Sequence, residues 1–217
     1  MTADGPPSDE PERWPVDSSR VVLDTGRVIT VRQDVVRSPV DDGGFTRDVV
    51  VHPGAVGVVA MDEDERVLLV RQYRHPVGHR LLEVPAGLLD VEGEDHLAAA
   101  RRELYEEAHV RAEDWRVLVD YFTSPGMTTE SLRVYLARGL SDVPPGERHV
   151  GEHEEADMPV VRVPLADLVA SVLAGRLHNP TLCVGVLGAW AARQGAGYDA
   201  LRDPGSPWPA REALPYR

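Results

Sequence analysis

Three glutamates fall on one side of a predicted helix, at Glu103, Glu106 and Glu107. They are spaced i,i+3 and i,i+4, so a helix of 3.6 residues per turn brings their carboxylates together. Like charges at these spacings destabilise an exposed helix by about 0.2–0.5 kcal/mol per pair. A divalent cation would turn the repulsion into attraction, and clustered oxygen ligands suit Mg²⁺ or Mn²⁺. The plain alternative is a solvated acidic face that Arg101 and Arg102 neutralise.

The surrounding sequence favours the metal interpretation. Gly87–Val110 reads GLLDVEGEDHLAAARRELYEEAHV, which resembles the Nudix box, the signature of the Nudix hydrolases. Glu94 and the run from Arg102 to Ala108 match that signature in register. The chain departs from it twice, because six residues rather than five separate Gly87 from Glu94 and because His109 replaces a glycine. We expect His109 to adopt the left-handed conformation that ends the helix.

The resemblance implies a metal site that binds the diphosphate of a nucleotide. Water attacks a phosphorus of that diphosphate, and positioning and charge stabilisation dominate the catalysis. Arg102 is expected to orient the glutamates by ion pairing. Glu103 and Glu107 are expected to bind Mg²⁺ or Mn²⁺ directly. The oxygen donors that would share or support the site are those of Glu106, Glu94 and the backbone carbonyl of Ala86.

A general base must also reach the attacking water. In the ADP-ribose branch of the resembled family, this base comes from an acidic loop late in the chain. Here that loop contains Glu152, Glu154 and Glu155. Its position before the next predicted strand favours Glu154, with Glu155 as the second candidate. The alternative is that these are ordinary loop acids.

Two further stretches resemble the ADP-sugar pyrophosphatase branch of the family. They are QYRHP at 72–76 with LEVPAGL at 82–88, and SPG at 124–126 followed by Thr129-Glu130. The resemblance spans about residues 20–193. It implies Mg²⁺-dependent hydrolysis of ADP-ribose to AMP and ribose 5-phosphate by a homodimer. The candidate substrate contacts are Arg74, Glu83, Arg47, Gly87, Gly126 and Met127.

Other functions remain open at this stage. The substrate could be another nucleoside-diphosphate sugar or NADH, because the box residues would bind the diphosphate that all of these share. A function of a different class is a sensor that binds ADP-ribose without cleaving it. The complete set of helix glutamates argues against the sensor.

The composition of the chain limits the classes of partner that it can bind and indicates its cellular location. The 217 residues carry a formal net charge of −13, which argues against binding to nucleic acid or to an acidic membrane. Cys183 is the only cysteine, so an intrachain disulfide is excluded. The chain has neither a signal-peptide pattern at its start nor an apolar run of about 20 residues. We therefore expect a cytoplasmic enzyme that acts on a small molecule.

The order of predicted elements indicates an α/β fold. Strand-forming runs surround the acidic helix, and two apolar-striped helices follow near 165–173 and 180–193. This pattern agrees with the α/β/α sandwich and mixed sheet of the resembled family, here preceded by a small antiparallel β unit. The expected segments are a disordered lead-in at 1–18, the β unit at 19–52, the hydrolase domain at 53–194 and an irregular tail at 195–217.

Overall fold

A computed structural model describes residues 6–24, 26, 28–40, 43–149 and 158–216. The chain divides into two compact units. The first comprises Met1–His52, Ser124–Thr129 and Trp208–Arg217, and the second comprises Pro53–Thr123 and Glu130–Pro207. Within the described part of the chain, no helix is long and apolar enough to cross a membrane.

The first unit is built on a three-stranded antiparallel sheet. Its strands, in spatial order, are β1 (Val16–Asp24), β2 (Thr30–Arg37) and β3 (Gly44–Val51). Val16 pairs with Val36 across the sheet, and the valine pair adds a cross-strand contact that favours extended chain there. The strand thus starts at Val16, inside the segment 1–18 that composition predicts as a disordered lead-in.

In its described residues, the second unit contains two sheets and three α-helices. The mixed sheet has the order β7 (Ala86–Leu88), β4 (Ala55–Ala60), β9 (Ser131–Asp142) and β8 (Val110–Phe122). Only the β4–β9 pair of this sheet is parallel. The antiparallel sheet has the order β10 (Val160–Pro164), β5 (Arg66–Arg74) and β6 (His79–Glu83). The helices are α1 (His96–Ala108), α2 (Leu165–Leu173) and α3 (Pro180–Gln194).

The mixed sheet lies between α1 and the pair α2 and α3. Successive residues of a strand point to opposite faces, and β4 is buried on both. Val56 and Val58 belong to the hydrophobic cluster that contains Leu104 of α1, whereas Val59 belongs to the cluster that contains Leu182 of α3. The expected α/β class and the layer order helix, sheet, helix are therefore confirmed.

Local sequence signals set the ends of the two long helices. The Asp95 carboxylate accepts hydrogen bonds from two N–H groups at the start of α1, Leu97 at 2.7 Å and Ala98 at 3.2 Å, as an N-cap does. His109 ends that helix in the expected left-handed conformation, with φ 53° and ψ 40°. Asn179 caps α3 in the same way, and Pro180 occupies its first turn.

The tail contains two short helical segments within 195–217, the range that composition predicts as irregular. Residues Tyr198–Ala200 form a 3-10 turn, and α4 (Pro209–Glu212) follows in the first unit. The buried Arg133 donates hydrogen bonds to the carbonyl oxygens of Ser206 at 2.7 Å and Pro207 at 3.0 Å. A distant arginine thus orders a segment whose own composition favours irregular chain.

Candidate active site

Gly87 brings the acidic helix into direct contact with the sheet. Gly87 pairs with Val56, so it lies on the face that α1 covers. A Cβ atom at Gly87 would overlap the Glu103 carboxyl group. Only glycine leaves that space, and the Glu103 carboxylate therefore lies against the backbone of β7.

A second carboxylate of α1 binds the same strand. Glu107 Oε2 accepts a hydrogen bond of 2.9 Å from the Ala86 N–H group. Hydrogen bonds to an ionised acceptor are about twice as strong as neutral ones. The buried residues that α1 places against the sheet are mostly small: Ala99, Ala100, Leu104 and Ala108. These short side chains let the helix approach closely enough for both glutamates to reach β7.

Arg102 connects the helix glutamates with the preceding loop. Its Nε and Nη2 atoms donate to the two oxygens of Glu94, both at 3.0 Å. Its Nη1 atom donates to Glu103 at 2.5 Å and to Glu106 at 3.3 Å. The hydrogen bond from Arg102 holds the pKa of Glu94 below its ordinary value, and the hydrogen bond to Glu94 raises the pKa of Arg102. One guanidinium thus spans three of the four box glutamates.

The donor set fits a divalent metal in its chemistry. The Glu103 and Glu107 carboxylates of α1 lie beside the Ala86–Gly87 backbone, and Mg²⁺ prefers such oxygen ligands. In the described ranges, with 150–157 outside them, no three His, Cys, Asp or Glu side chains converge on one point as a metal site. Glu103 and Glu106 share Arg102, while Glu107 faces the Ala86 N–H group. Metal ligation by Glu103, Glu106, Glu107, Glu94 and the Ala86 carbonyl stays a prediction.

The structure pairs two of the predicted substrate contacts with each other. Arg74 Nε donates to Glu83 Oε1 at 2.9 Å, and Arg74 Nη2 donates to Glu83 Oε2 at 2.7 Å. The Glu83 side chain is buried, whereas that of Arg74 is partly exposed. The two residues therefore act as one unit, which the sequence did not indicate.

Three other predicted substrate contacts belong to the first unit. The Arg47 guanidinium lies 4.2 Å from the centre of the Phe45 ring. Gly126 lies in the turn at 125–127, and the Met127 carbonyl accepts a hydrogen bond of 2.8 Å from the Val50 N–H group. Their assignment as substrate contacts stays a prediction. The predicted bases Glu154 and Glu155, and Glu152 beside them, lie outside the described residues.

Sequence reasoning missed Asp95, which fixes the first turn of the acidic helix. Its signal was an aspartate directly before the apolar-periodic run, the usual N-cap pattern. Because Asp95 follows Glu94 directly, the cap also fixes the point where the chain leaves the Glu94–Arg102 ion pair. Asp95 thus positions the carboxylate-bearing helix without itself lying among the box glutamates.

Comparisons with known proteins identify the family of this chain. A model of the NUDIX domain matches residues 51–180. The chain is 48% identical over 177 residues to the ADP-ribose pyrophosphatase of Mycobacterium tuberculosis, a match that covers 82% of this chain and 84% of that protein. It is 33% identical to the methanol dehydrogenase activator of Bacillus methanolicus over 75% of this chain and 85% of that protein.

A solved structure shares the fold. The crystal structure of an ADP compounds hydrolase superposes with a TM-score of 0.64 at 23% sequence identity. The match covers 87% of this chain and 99% of that one. The fold of this chain is therefore found in an experimental structure as well.

Proposed function

The chain belongs to the Nudix hydrolase family, and we propose that it hydrolyses the diphosphate of ADP-ribose to AMP and ribose 5-phosphate with Mg²⁺. The proposed substrate is supported by the 48% identity to an ADP-ribose pyrophosphatase over 82% of this chain. The observation that carries the chemistry is the group of α1 carboxylates held against the Ala86–Gly87 backbone.

Hydrolases of this family generally use a divalent metal, and such an ion supplies charge neutralisation at the diphosphate. The residues that would hold it are Glu103, Glu106 and Glu107. Arg102 fixes the direction of Glu103 and Glu106, and its two hydrogen bonds to Glu94 keep the loop and the helix together. This arrangement orients oxygen ligands before the substrate arrives, which is how preorganised sites gain rate.

The substrate is a small molecule with a negatively charged diphosphate. In a chain of net charge −13, local cations must offset the general repulsion of such an anion. Arg74 supplies a partly exposed guanidinium, a group whose planar donors match phosphate oxygens. Glu83 pairs with this guanidinium, and Gly87 lies beside the Glu103 carboxylate. Arg47, Gly126 and Met127 are proposed separately as substrate contacts of the first unit.

Glu154 is proposed as the general base that accepts the proton of the attacking water, with Glu155 as the second candidate. Removal of such a base typically slows a reaction by about 10²–10⁴-fold. The test compares Glu154→Gln, Glu155→Gln and the neighbouring control Glu152→Gln in steady-state turnover. The variant with the largest loss identifies the base, and equal small losses in all three would place the base elsewhere.

A homodimer is proposed on the surface of the first unit. Every residue of its edge strand β1 is exposed, including the apolar Val21, Val22 and Leu23. Exposed apolar edge strands are pairing surfaces that soluble proteins usually cover. Light scattering of the wild type and of Val22→Asp tests this, with a dimer expected for the first and a monomer for the second. The cytoplasmic location stays a prediction.

Substrate choice is tested by hydrolysis with and without Mg²⁺ of ADP-ribose, ADP-glucose, NADH and a nucleoside triphosphate, with products separated by chromatography. Metal-dependent release of AMP from ADP-ribose, in preference to the others, is the expected result. Preferred cleavage of another compound would keep the chemistry and change the substrate. Tight binding of ADP-ribose without any cleavage would indicate a sensor and overturn the proposal.

A further inference from the structure

Strand β5 carries an ion pair with a buried carboxylate at each of its ends. At its start, Arg66 Nε donates to Asp62 at 2.9 Å, and the side chains are 44% and 6% exposed. At its end, Arg74 pairs with Glu83, and the side chains are 43% and 3% exposed. The two pairs resemble each other in residue type, exposure and distance. They differ in what lies next to them along the chain and in hydrogen bonding, because Asp62 Oδ1 accepts from the Asp64 and Arg66 N–H groups instead of from the guanidinium.

Glu83 fixes the orientation of the Arg74 guanidinium. Both Glu83 oxygens accept from Arg74, one from Nε and one from Nη2. Burial of a carboxylate is costly unless a cation pairs with it, so Glu83 must keep this partner. An arginine side chain otherwise has many accessible rotamers, and the two parallel hydrogen bonds remove most of that freedom.

The chain connects this pair directly with the carboxylate site. Only Val84 and Pro85 separate Glu83 from Ala86, so their Cα atoms lie within about 11 Å of each other even if the chain is fully extended. The connection is rigid, because Val84 is buried and the Pro85 carbonyl accepts a 2.8 Å hydrogen bond from the Val58 N–H group. Ala86 then donates to Glu107. The Arg74 guanidinium thus has a fixed place relative to the helix glutamates.

We propose that Glu83 is a positioning residue, which does not bind the substrate but orients Arg74 toward a phosphate oxygen of the nucleoside diphosphate. The inference rests on the proposed function and replaces the expectation that Glu83 touches the substrate. A buried carboxylate whose two oxygens face an arginine is poorly placed to repel or bind an incoming anion. The partly exposed Arg74 is well placed to bind one, and a preorganised side chain loses less entropy on binding.

The test is a double-mutant cycle on KM and kcat with Glu83→Gln, Arg74→Ala and the double variant. We expect Glu83→Gln to raise KM about tenfold, which corresponds to about 1.4 kcal/mol, with little change in kcat. Arg74→Ala should raise KM further. The double variant should match Arg74→Ala, because a residue that acts only through Arg74 has no effect once Arg74 is absent.

Asp62→Asn is the matched control, since it removes the buried carboxylate at the other end of β5. We expect both Glu83→Gln and Asp62→Asn to lower the melting temperature, but only Glu83→Gln to raise KM. Arg74→Lys should fall between the wild type and Arg74→Ala, because lysine keeps the charge and loses the bidentate geometry.

Three results would overturn the inference. Additive KM effects in the double variant would mean that Glu83 contacts the substrate itself. An unchanged KM in Glu83→Gln, with a melting loss like that of Asp62→Asn, would leave only a structural role. If the wild type cleaves no ADP-ribose, the proposed activity has failed, and the same cycle is measured as ADP-ribose affinity by calorimetry. The affinities then test the role of Glu83 independently of the activity. If the wild type does not bind ADP-ribose either, the proposed function and the inference are both rejected.

Discussion

Two glycines on neighbouring strands each leave room for a side chain from a helix, one on each face of the mixed sheet. Gly57 of β4 pairs with Ala86, and Gly87 of β7 pairs with Val56, so the glycines face opposite sides of the sheet. A Cβ at Gly57 would lie 2.6 Å from Thr181 Cγ2 of α3. A Cβ at Gly87 would overlap the Glu103 carboxyl group of α1. The missing side chain leaves room for apolar packing at Gly57 and for a carboxylate at Gly87.

The two faces also differ in what holds their helices. On the α3 side, large apolar residues such as Leu182 and Val186 are completely buried. On the α1 side, alanines supply most of the buried contact, and glutamates reach the backbone of β7. Burial of apolar area contributes about 25 cal/mol per Å², so a buried leucine or valine of α3 contributes more stability than a buried alanine of α1. The α1 face buries smaller apolar side chains and positions the glutamate carboxylates.

The largest loss of activity is expected when a side chain at position 87 fills the space that the Glu103 carboxylate occupies. Gly87→Ala forces the Glu103 carboxylate away from β7, and a displacement of about 1 Å in a catalytic group can cost on the order of 100-fold in rate. We expect kcat for ADP-ribose to fall by about that factor, while the circular dichroism spectrum stays that of the wild type. A variant with wild-type kcat would show that the close contact has no role in catalysis.

The matched change on the other face should affect stability instead. Gly57→Ala pushes its new methyl group into Thr181, and overpacking of this kind typically costs about 1–3 kcal/mol of unfolding free energy. Denaturant titration should show this loss, while kcat of the folded protein stays unchanged. If Gly57→Ala lost activity as strongly as Gly87→Ala, the division between the two faces would be wrong.

A smaller effect is expected at high pH on the α3 side. The Tyr121 hydroxyl contacts Thr181 Oγ1 at 3.0 Å, and burial first, with the charge of Glu130, raises the pKa of Tyr121 to about 12. The folded state then keeps this proton more strongly than the unfolded state, in which the pKa is about 10. This contribution to stability is complete below about pH 10 and is lost as the pH rises toward about 12.

Tyr121→Phe removes that titration. Melting temperatures measured across this alkaline range should fall less steeply for Tyr121→Phe than for the wild type. Tyr105→Phe provides the control, because Tyr105 lies on the α1 side and donates from its hydroxyl to the Glu147 carbonyl. Parallel curves for the wild type and Tyr121→Phe would contradict the role of Tyr121.

The parts that sequence predicted are those that local rules determine. The helix glutamates follow from i,i+3 and i,i+4 spacing, the left-handed His109 follows from its place after the last helical residue, and Asn179 follows from its capping pattern. Each depends on neighbours within a few residues. The helix, sheet, helix layers followed from the order of such segments together with the resemblance to a family.

The parts that sequence missed depend on contacts between distant residues. Nothing in the neighbourhood of Arg74 shows that the buried partner of its guanidinium is Glu83, on the next strand. The tail composition around Ser206 predicts irregular chain, yet the distant Arg133 holds its carbonyls. The start of β1 depends on the pairing of Val16 with Val36. Such contacts require the register of the folded sheet.

The most direct measurement is the rate of AMP release from ADP-ribose by the wild type and by Glu107→Gln, each across a titration of Mg²⁺. Glutamine retains the size of the side chain but lacks the negative charge, so the fold should persist. We expect metal-dependent release by the wild type and a loss on the order of 10³-fold in the variant, as when a preorganised charge-stabilising group is removed. Equal rates at every Mg²⁺ concentration would contradict the assignment of α1 as the catalytic helix.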